Sequence, residues 1–325
     1  MTAETVEAAA SRADRQGRAG AVGDGIFRAL TFFFALLVLL ILGGVIISLI
    51  AGAWPAFRAF GPAFVISEVW NPVTGKFGAL APIYGTLVTS AIAMLIGIPV
   101  AFGVAVFITE ISPVWLKRPL ATMIELLAAI PSIIYGIWGL FVFAPFVQQY
   151  IQPGIIDTLG NIPGIGALFA GPPLGIGVLT AGFILAIMVL PFISAIMRDV
   201  FETVPPMLKE SAYGLGATRS EVVWQVVLPF TRVGVVGGVM LGLGRALGET
   251  MAVTFVIGNA HRISASILQP GTTISASLAN EFTEAFGDLY RSSLIALGFI
   301  LFVITFIVLA IAKVMLLRLQ KQAGG

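Results

Sequence analysis

The chain has 325 residues, of which 58% are hydrophobic and 10% charged, with a net charge of +2 and a mean hydropathy of +1.03. That balance excludes a water-soluble globular domain, and basic residues gathered in short clusters give no continuous groove for nucleic acid. With no cysteine and one histidine, His261, the chain also excludes disulfide frameworks, thiolate or imidazole metal clusters and a cysteine nucleophile.

Residues 1–25, rich in Ala, Gly, Arg and Asp, predict a mobile N-terminal tail ahead of an apolar membrane body at 26–325. Six apolar runs follow, at 29–52, 84–108, 120–143, 174–197, 233–257 and 293–312. At a rise of about 1.5 Å per residue each is long enough for a hydrocarbon core of roughly 30 Å, so the expected fold class is an all-α membrane protein with six transmembrane helices in contact with lipid. Ala51-Gly52-Ala53 looks like a leader cleavage site, but the 24-residue run before it exceeds the roughly 7–15 residues of a signal core and reads as a true span.

Thirteen Lys and Arg lie before the first span, after the second and fourth, and after the sixth, whereas the alternate connections hold only Arg58, Lys76, Arg262 and Arg291. The excess marks the cytoplasmic side and places both termini there. Of the outer connections, 53–83 carries Trp54 and Trp70, expected as interface anchors. The other, 144–173, is rich in Gly and Pro without Lys or Arg, and serves either to dock an external partner or as a plain connector. Glu125 falls inside the third span near its cytoplasmic end, ahead of Pro131, with a structural or a transport role.

The longest cytoplasmic connection is 199–232. Pro205-Pro206 breaks the fourth helix, and Pro206 suits the first position of a new one running toward Gly214. Gly214 and Gly216 supply a stop, and Thr218-Arg219-Ser220-Glu221 fits a capping box for another helix, 219–228, ending at Pro229. Two short helices joined by a glycine turn would form a rigid elbow that transmits displacement, or else an ordinary amphipathic connector.

The fifth span contains Gly244-Arg245-Ala246-Leu247-Gly248-Glu249. An arginine inside a span costs at least about 2.5–3.5 kcal/mol on insertion scales. Arg245 and Glu249, four apart, are expected to share a helix face with Gly234, Gly238 and Gly242 and to pair directly. Two readings stand: Arg245 lines a pathway and attracts an oxyanion while Glu249 holds it, or the two form a buried structural salt bridge.

Glu210-Ser211-Ala212, three residues, Gly216, nine residues and Val226-Val227-Leu228-Pro229 resemble the EAA signature of ABC importer permeases, Glu-Ala-Ala, three residues, Gly, nine residues, Ile, any residue, Leu and Pro. Every spacing matches, with Ser211 for Ala and Val226 for Ile. Gly244 to Val253, Glu125 to Gly136, and Phe77 to Leu80 with Gly85-Thr86-Leu87 look like the phosphate-specific PstC permease family. The sister PstA permeases usually continue the Glu-Thr stretch with Ala-Pro, whereas Met251 follows here.

The resemblance implies a type I ABC importer (MetI-like) fold in a bacterial inner membrane. It implies a PstA-like permease as heterodimer partner, two ATPase copies and an external phosphate-binding protein, with inorganic phosphate as cargo and transport by alternating access. Glu210, Ser211, Ala212, Gly216, Leu228 and Pro229 would then couple to the ATPase, and Arg245 and Glu249 would line the pathway. No Gly-x-x-x-x-Gly-Lys-Ser/Thr is present, so ATP and Mg would be bound by the partner chain and this one would be no enzyme and carry no cofactor. A permease for another oxyanion such as sulfate or molybdate, a secondary transporter that needs no ATPase, and a membrane enzyme are the competing readings.

Overall fold

The computed structural model describes the backbone of residues 3–323 and the side chains of residues 24–318, so the mobile-tail reading of residues 1–25 lies outside the residues described in full. The helices are α1 (Ala3–Phe60), α2 (Ala63–Ile66), α3 (Leu80–Val106), α4 (Val114–Ala128), α5 (Ser132–Trp138), α6 (Ala144–Phe146) and α7 (Gln152–Leu159). They continue with α8 (Val178–Glu202), α9 (Pro206–Gly214), α10 (Arg219–Val222), α11 (Leu228–Gly248), α12 (Met251–Thr254), α13 (Ile274–Glu281) and α14 (Asp288–Ala323). Among the described residues the only β feature is an isolated antiparallel bridge between Asn71 and Lys76.

Six described segments are long and apolar enough to cross a bilayer: Asp24–Phe60, Leu80–Ile111, Ser132–Leu159, Val178–Glu202, Arg219–Gly248 and Asp288–Arg318. The number agrees with the sequence reading, but two spans are displaced. The third starts at Ser132 rather than 120, because α4 is a separate helix and the chain is extended at Pro131, with ψ 135°. A proline ring disfavours helical backbone in the residue before it, so the apolar run is cut at Ile130. The span then continues to Leu159 through much of the expected Gly/Pro connector. Pro145 and Pro153 each sit at the start of a helical segment, directly after the π-turns Gly139–Phe143 and Val147–Ile151. A wide turn disrupts the regular hydrogen-bond ladder there, so proline's missing N–H costs little.

The fifth span is shifted the other way. The helix begun at Arg219 does not end at Pro229, since the π-turn Val223–Val227 precedes that proline and carries the rod into α11. At the far end helix stops at Gly248 instead of 257, with Glu249 extended at ψ 131°. Residues 255–273 then run mostly outside helix, burying Val256, Ile257 and Leu268.

The chain divides into two compact units, 1–52 and 53–325. In the first, no part of the apolar window of α1 is buried, and Phe27, Phe32, Leu39, Ile41 and Ile47 stand exposed. A helix apolar on all sides belongs in lipid or against another chain. In the second, α3 and α8 pack along small residues: a Cβ at Gly182 would meet Ile92 at 2.7 Å, and Ala93, Ala101, Ala105, Ala181 and Ala186 are buried with Ile184, Leu185, Met188, Val189 and Ile193. Small residues let membrane helices approach closely, where dispersion rather than dehydration holds them. A second cluster gathers Ala53, Ala56, Phe64 and Phe77 with Ile274, Leu294 and Leu297.

Candidate functional site

The connection between α8 and α11 is an elbow. Pro205 is extended and Pro206 opens α9, where a missing N–H is harmless. The helix ends in a glycine turn: Gly216 donates to the Tyr213 carbonyl at 2.9 Å and Ala217 to the Ala212 carbonyl at 3.1 Å, with Gly216 at φ +90°. This is the paired closure by which a left-handed residue satisfies the last carbonyls of a helix. Thr218 then caps α10 reciprocally, its N–H donating to Glu221 Oε2 at 2.7 Å and its Oγ1 accepting from the Glu221 N–H at 3.4 Å.

No residue of α9 is buried. Its exposed residues include Glu210, Ser211, Met207 (75%), Leu208 and Tyr213, followed by Leu215 (90%). The opposite face carries Lys209 and Ala212, which are half-buried, and Ala212 and Ala217 pack on the main core. Lys209 Nζ lies 2.6 Å from Glu110 Oε1, an ion pair that sequence reasoning missed because the partners are 99 positions apart. Leu228 and Pro229 belong to the start of α11 rather than to the elbow.

Arg245 lies in the last turn of α11 and is exposed on the surface of the chain, its guanidinium 5.7 Å from the centroid of the Phe192 ring on α8. That separation is a cation–π contact. The expected pairing with Glu249 is not formed. Because the helix breaks after Gly248, Glu249 is turned off the Arg245 face, and its Oε1 accepts from the Ala252 N–H at 3.2 Å, capping α12. The glycine stripe serves the close approach of a neighbouring helix: a Cβ at Gly234, Gly238 or Gly242 would strike Val200, Ile196 or Ile193 at 2.5–2.8 Å, so these glycines seat α11 against α8. Ala246 continues that buried stripe, which leaves Arg245 at its rim.

Glu125 lies on α4, outside the spans, and pairs with Arg198 of α8 at 2.9 Å, which also contacts Asp199 at 2.6 Å. Trp70 is half-buried and tied into the fold: its Nε1 donates to Glu281 Oε2 at 2.7 Å and its ring stacks on His261 at 5.0 Å and 7°. Trp54 is exposed. Among the described residues no group of three or more His, Asp or Glu could hold a metal ion.

Residues 97–321 match the family model of the binding-protein-dependent transport system inner membrane component. The chain is 63% identical over 322 residues to the phosphate transport system permease protein PstC of Mesorhizobium japonicum, covering 99% of this chain and 98% of that protein. It is 56% identical to the protein of the same name from Pasteurella multocida, over 92% of this chain and 93% of that one. Among solved structures, a chain of the inward-facing MetNI methionine ABC transporter superposes with a TM-score of 0.57 at 16% identity, covering 77% of this chain and 99% of that one. A chain of a bacterial alginate ABC transporter bound to its periplasmic protein gives 0.57 at 18% identity, over 87% and 93%. At such identities these two likenesses speak for the fold alone: a type I, MetI-like arrangement of helices.

Proposed function

The chain belongs to the binding-protein-dependent transport system inner membrane components and, within them, to the PstC permeases, and from that premise we propose that it forms part of the membrane pathway through which an ATP-driven importer carries inorganic phosphate. It is a multi-pass permease subunit of the bacterial inner membrane, not an enzyme, and its family works with an ATPase and a binding protein. A PstA-like permease completes the pathway, two ATPase copies bind the ATP and Mg, and the phosphate-binding protein delivers from outside. Both termini face the cytoplasm, as the thirteen-to-four distribution of basic residues favours.

The observation that carries this reading is the elbow. A helix with no buried residue, apolar side chains outward and a defined turn at Gly216 suits a surface that a second protein grips and moves. Glu210 and Ser211 lie on that surface, Ala212 backs it against the core, Gly216 is its hinge, and Leu228 and Pro229 pass the motion into α11. At the other end of α11, Arg245 stands exposed with its fork of donors uncommitted to Glu249, ready for an oxyanion in a pathway shared with the partner permease. Glu249 shapes the break after Gly248 that puts Arg245 at the rim.

The test is uptake of labelled phosphate into vesicles holding this chain with its partner permease, ATPase and binding protein. Uptake that requires ATP and resists sulfate and molybdate is the expected result. Uptake without the ATPase would move the chain to the secondary transporters, and competition by sulfate or molybdate would reassign the cargo. Arg245→Ala in the same vesicles should lower uptake about tenfold to hundredfold, the worth of a hydrogen bond to a charged group at about 1.5–3 kcal/mol, with complex assembly intact.

A further inference from the structure

We infer that Lys209 and Glu110 form a strut that carries the displacement of α9 directly to α3, an inference that rests on the importer reading above. The chain connects α9 to α8 through residues 203–205 and to α10 through residues 215–218, but nothing covalent joins it to α3. The apolar contact of α9 itself with the core is thin, limited to Ala212, with Ala217 in the turn that follows it. Lys209 shares the inward face of α9 with Ala212, one turn away. Its Nζ reaches Glu110 Oε1 at 2.6 Å in a poorly hydrated place, the Lys209 side chain 18% exposed and that of Glu110 only 6%.

Glu110 is well placed to receive a push. It belongs to the π-turn Phe107–Ile111 that ends α3, where Lys117 of α4 also donates to the Thr109 carbonyl. From there α3 runs along α8 through close-packed alanines and glycines, an interface with little room to deform, so the two helices move together. Stability alone does not explain the pair. A buried ion pair is often no better for stability than apolar residues of the same volume, whereas it fixes the register of the two groups it joins. Glu110 and Arg219 both line a groove of about 370 Å³, together with Ser220 and Trp224.

Lys209 and Glu110 are thus positioning residues, and the quantity they set is phosphate moved per ATP hydrolysed. The diagnostic variant is the double change Lys209→Met with Glu110→Gln, which removes both charges and leaves no orphaned carboxylate. In vesicles holding the complete importer it should assemble and hydrolyse ATP, but uptake per ATP should fall about tenfold, in the range of site-to-site couplings. Lys209→Arg, which keeps the charge, should retain coupling. An unchanged ratio in the double variant would overturn the strut, and loss of assembly in it would make the pair a folding device. Failure of the unsubstituted complex to take up phosphate with ATP would instead remove the importer reading.

Discussion

The connections at the two ends of the second unit are built from the same kinds of residue and behave as opposites. At one end, Glu281 lies 2.6 Å from His261 Nε2, accepts from Trp70 Nε1 at 2.7 Å and from the Tyr290 hydroxyl at 2.6 Å. Trp70 stacks on His261, and Phe77 on Tyr290 at 5.0 Å and 13°. Four separate stretches, around Trp70, around His261, α13 and the start of α14, are thereby locked to one carboxylate. At the other end α9 buries nothing, turns most of its apolar side chains outward and meets the core through one ion pair and Ala212, with Ala217 in the turn after it. A connection whose polar atoms converge on a shared partner is a clasp; one whose apolar atoms face outward is a handle.

The largest effect should come from breaking the clasp. Glu281→Ala leaves the Trp70, Tyr290 and His261 groups without their common acceptor, and at about 1–3 kcal/mol for each unsatisfied buried group the loss should reach about 3 kcal/mol or more. Thermal unfolding of the purified complex would show it, and an unchanged midpoint would mean that the two ends differ less than their contacts suggest. Acid should reveal the same residue. Burial alone would raise the Glu281 carboxyl, but the bonds from His261, Tyr290 and Trp70 outweigh it and hold it below the usual 4.5. A carboxyl depressed in the folded state contributes stability that is fully present above its unfolded value and is lost as pH falls through its folded value. The midpoint should therefore fall more steeply below pH 4.5 in the unsubstituted protein than in Glu281→Ala.

How far each end was legible in the sequence follows from how local its determinants are. Pro206, Gly216 and the Thr218 to Glu221 capping box lie within sixteen consecutive residues, and the elbow forms as its sequence dictates. The clasp joins positions up to 220 apart, Trp70 to Tyr290, and Trp70 read alone looks like a membrane-surface anchor. The apolar runs gave six spans, but the break at Pro131 cut one of them short, and the continuation of helix past Pro145, Pro153 and Pro229 depended on π-turns, which have no periodic signature. Arg245 and Glu249 fail to pair for a tertiary reason: a Cβ at Gly136 would lie 3.0 Å from the Met251 carbonyl, so α5 presses on the segment that has already left the helix.

A smaller effect is expected from the hinge of the handle. A Cβ at Gly216 meets nothing within 4 Å, so the cost of Gly216→Val is conformational, about 1–2 kcal/mol for a left-handed residue with a branched side chain. That energy falls on the turn and not on the core. The complex should assemble with an unfolding midpoint lowered by a few degrees at most, while ATP hydrolysis continues with reduced uptake. A fall in midpoint as large as that of Glu281→Ala would show the elbow to be as integral to the fold as the clasp.

The smallest effect should come from the surface of the handle. Leu215 is 90% exposed directly after α9, and a leucine left in water is explained if a partner covers it. Burying such a side chain is worth about 1.5–3 kcal/mol at most, so Leu215→Ser should weaken ATPase binding by about tenfold while leaving the isolated chain as stable as before. Titration of the detergent-solubilised permease pair with the ATPase would measure it. Equal binding by both forms would place the gripped surface elsewhere on α9, at Met207, Leu208 and Tyr213, and would leave Leu215 in contact with the lipid headgroups. Weaker binding with unaltered stability would separate the two ends on the criterion that distinguishes a handle from a clasp: what its residues contribute appears only when the partner is present.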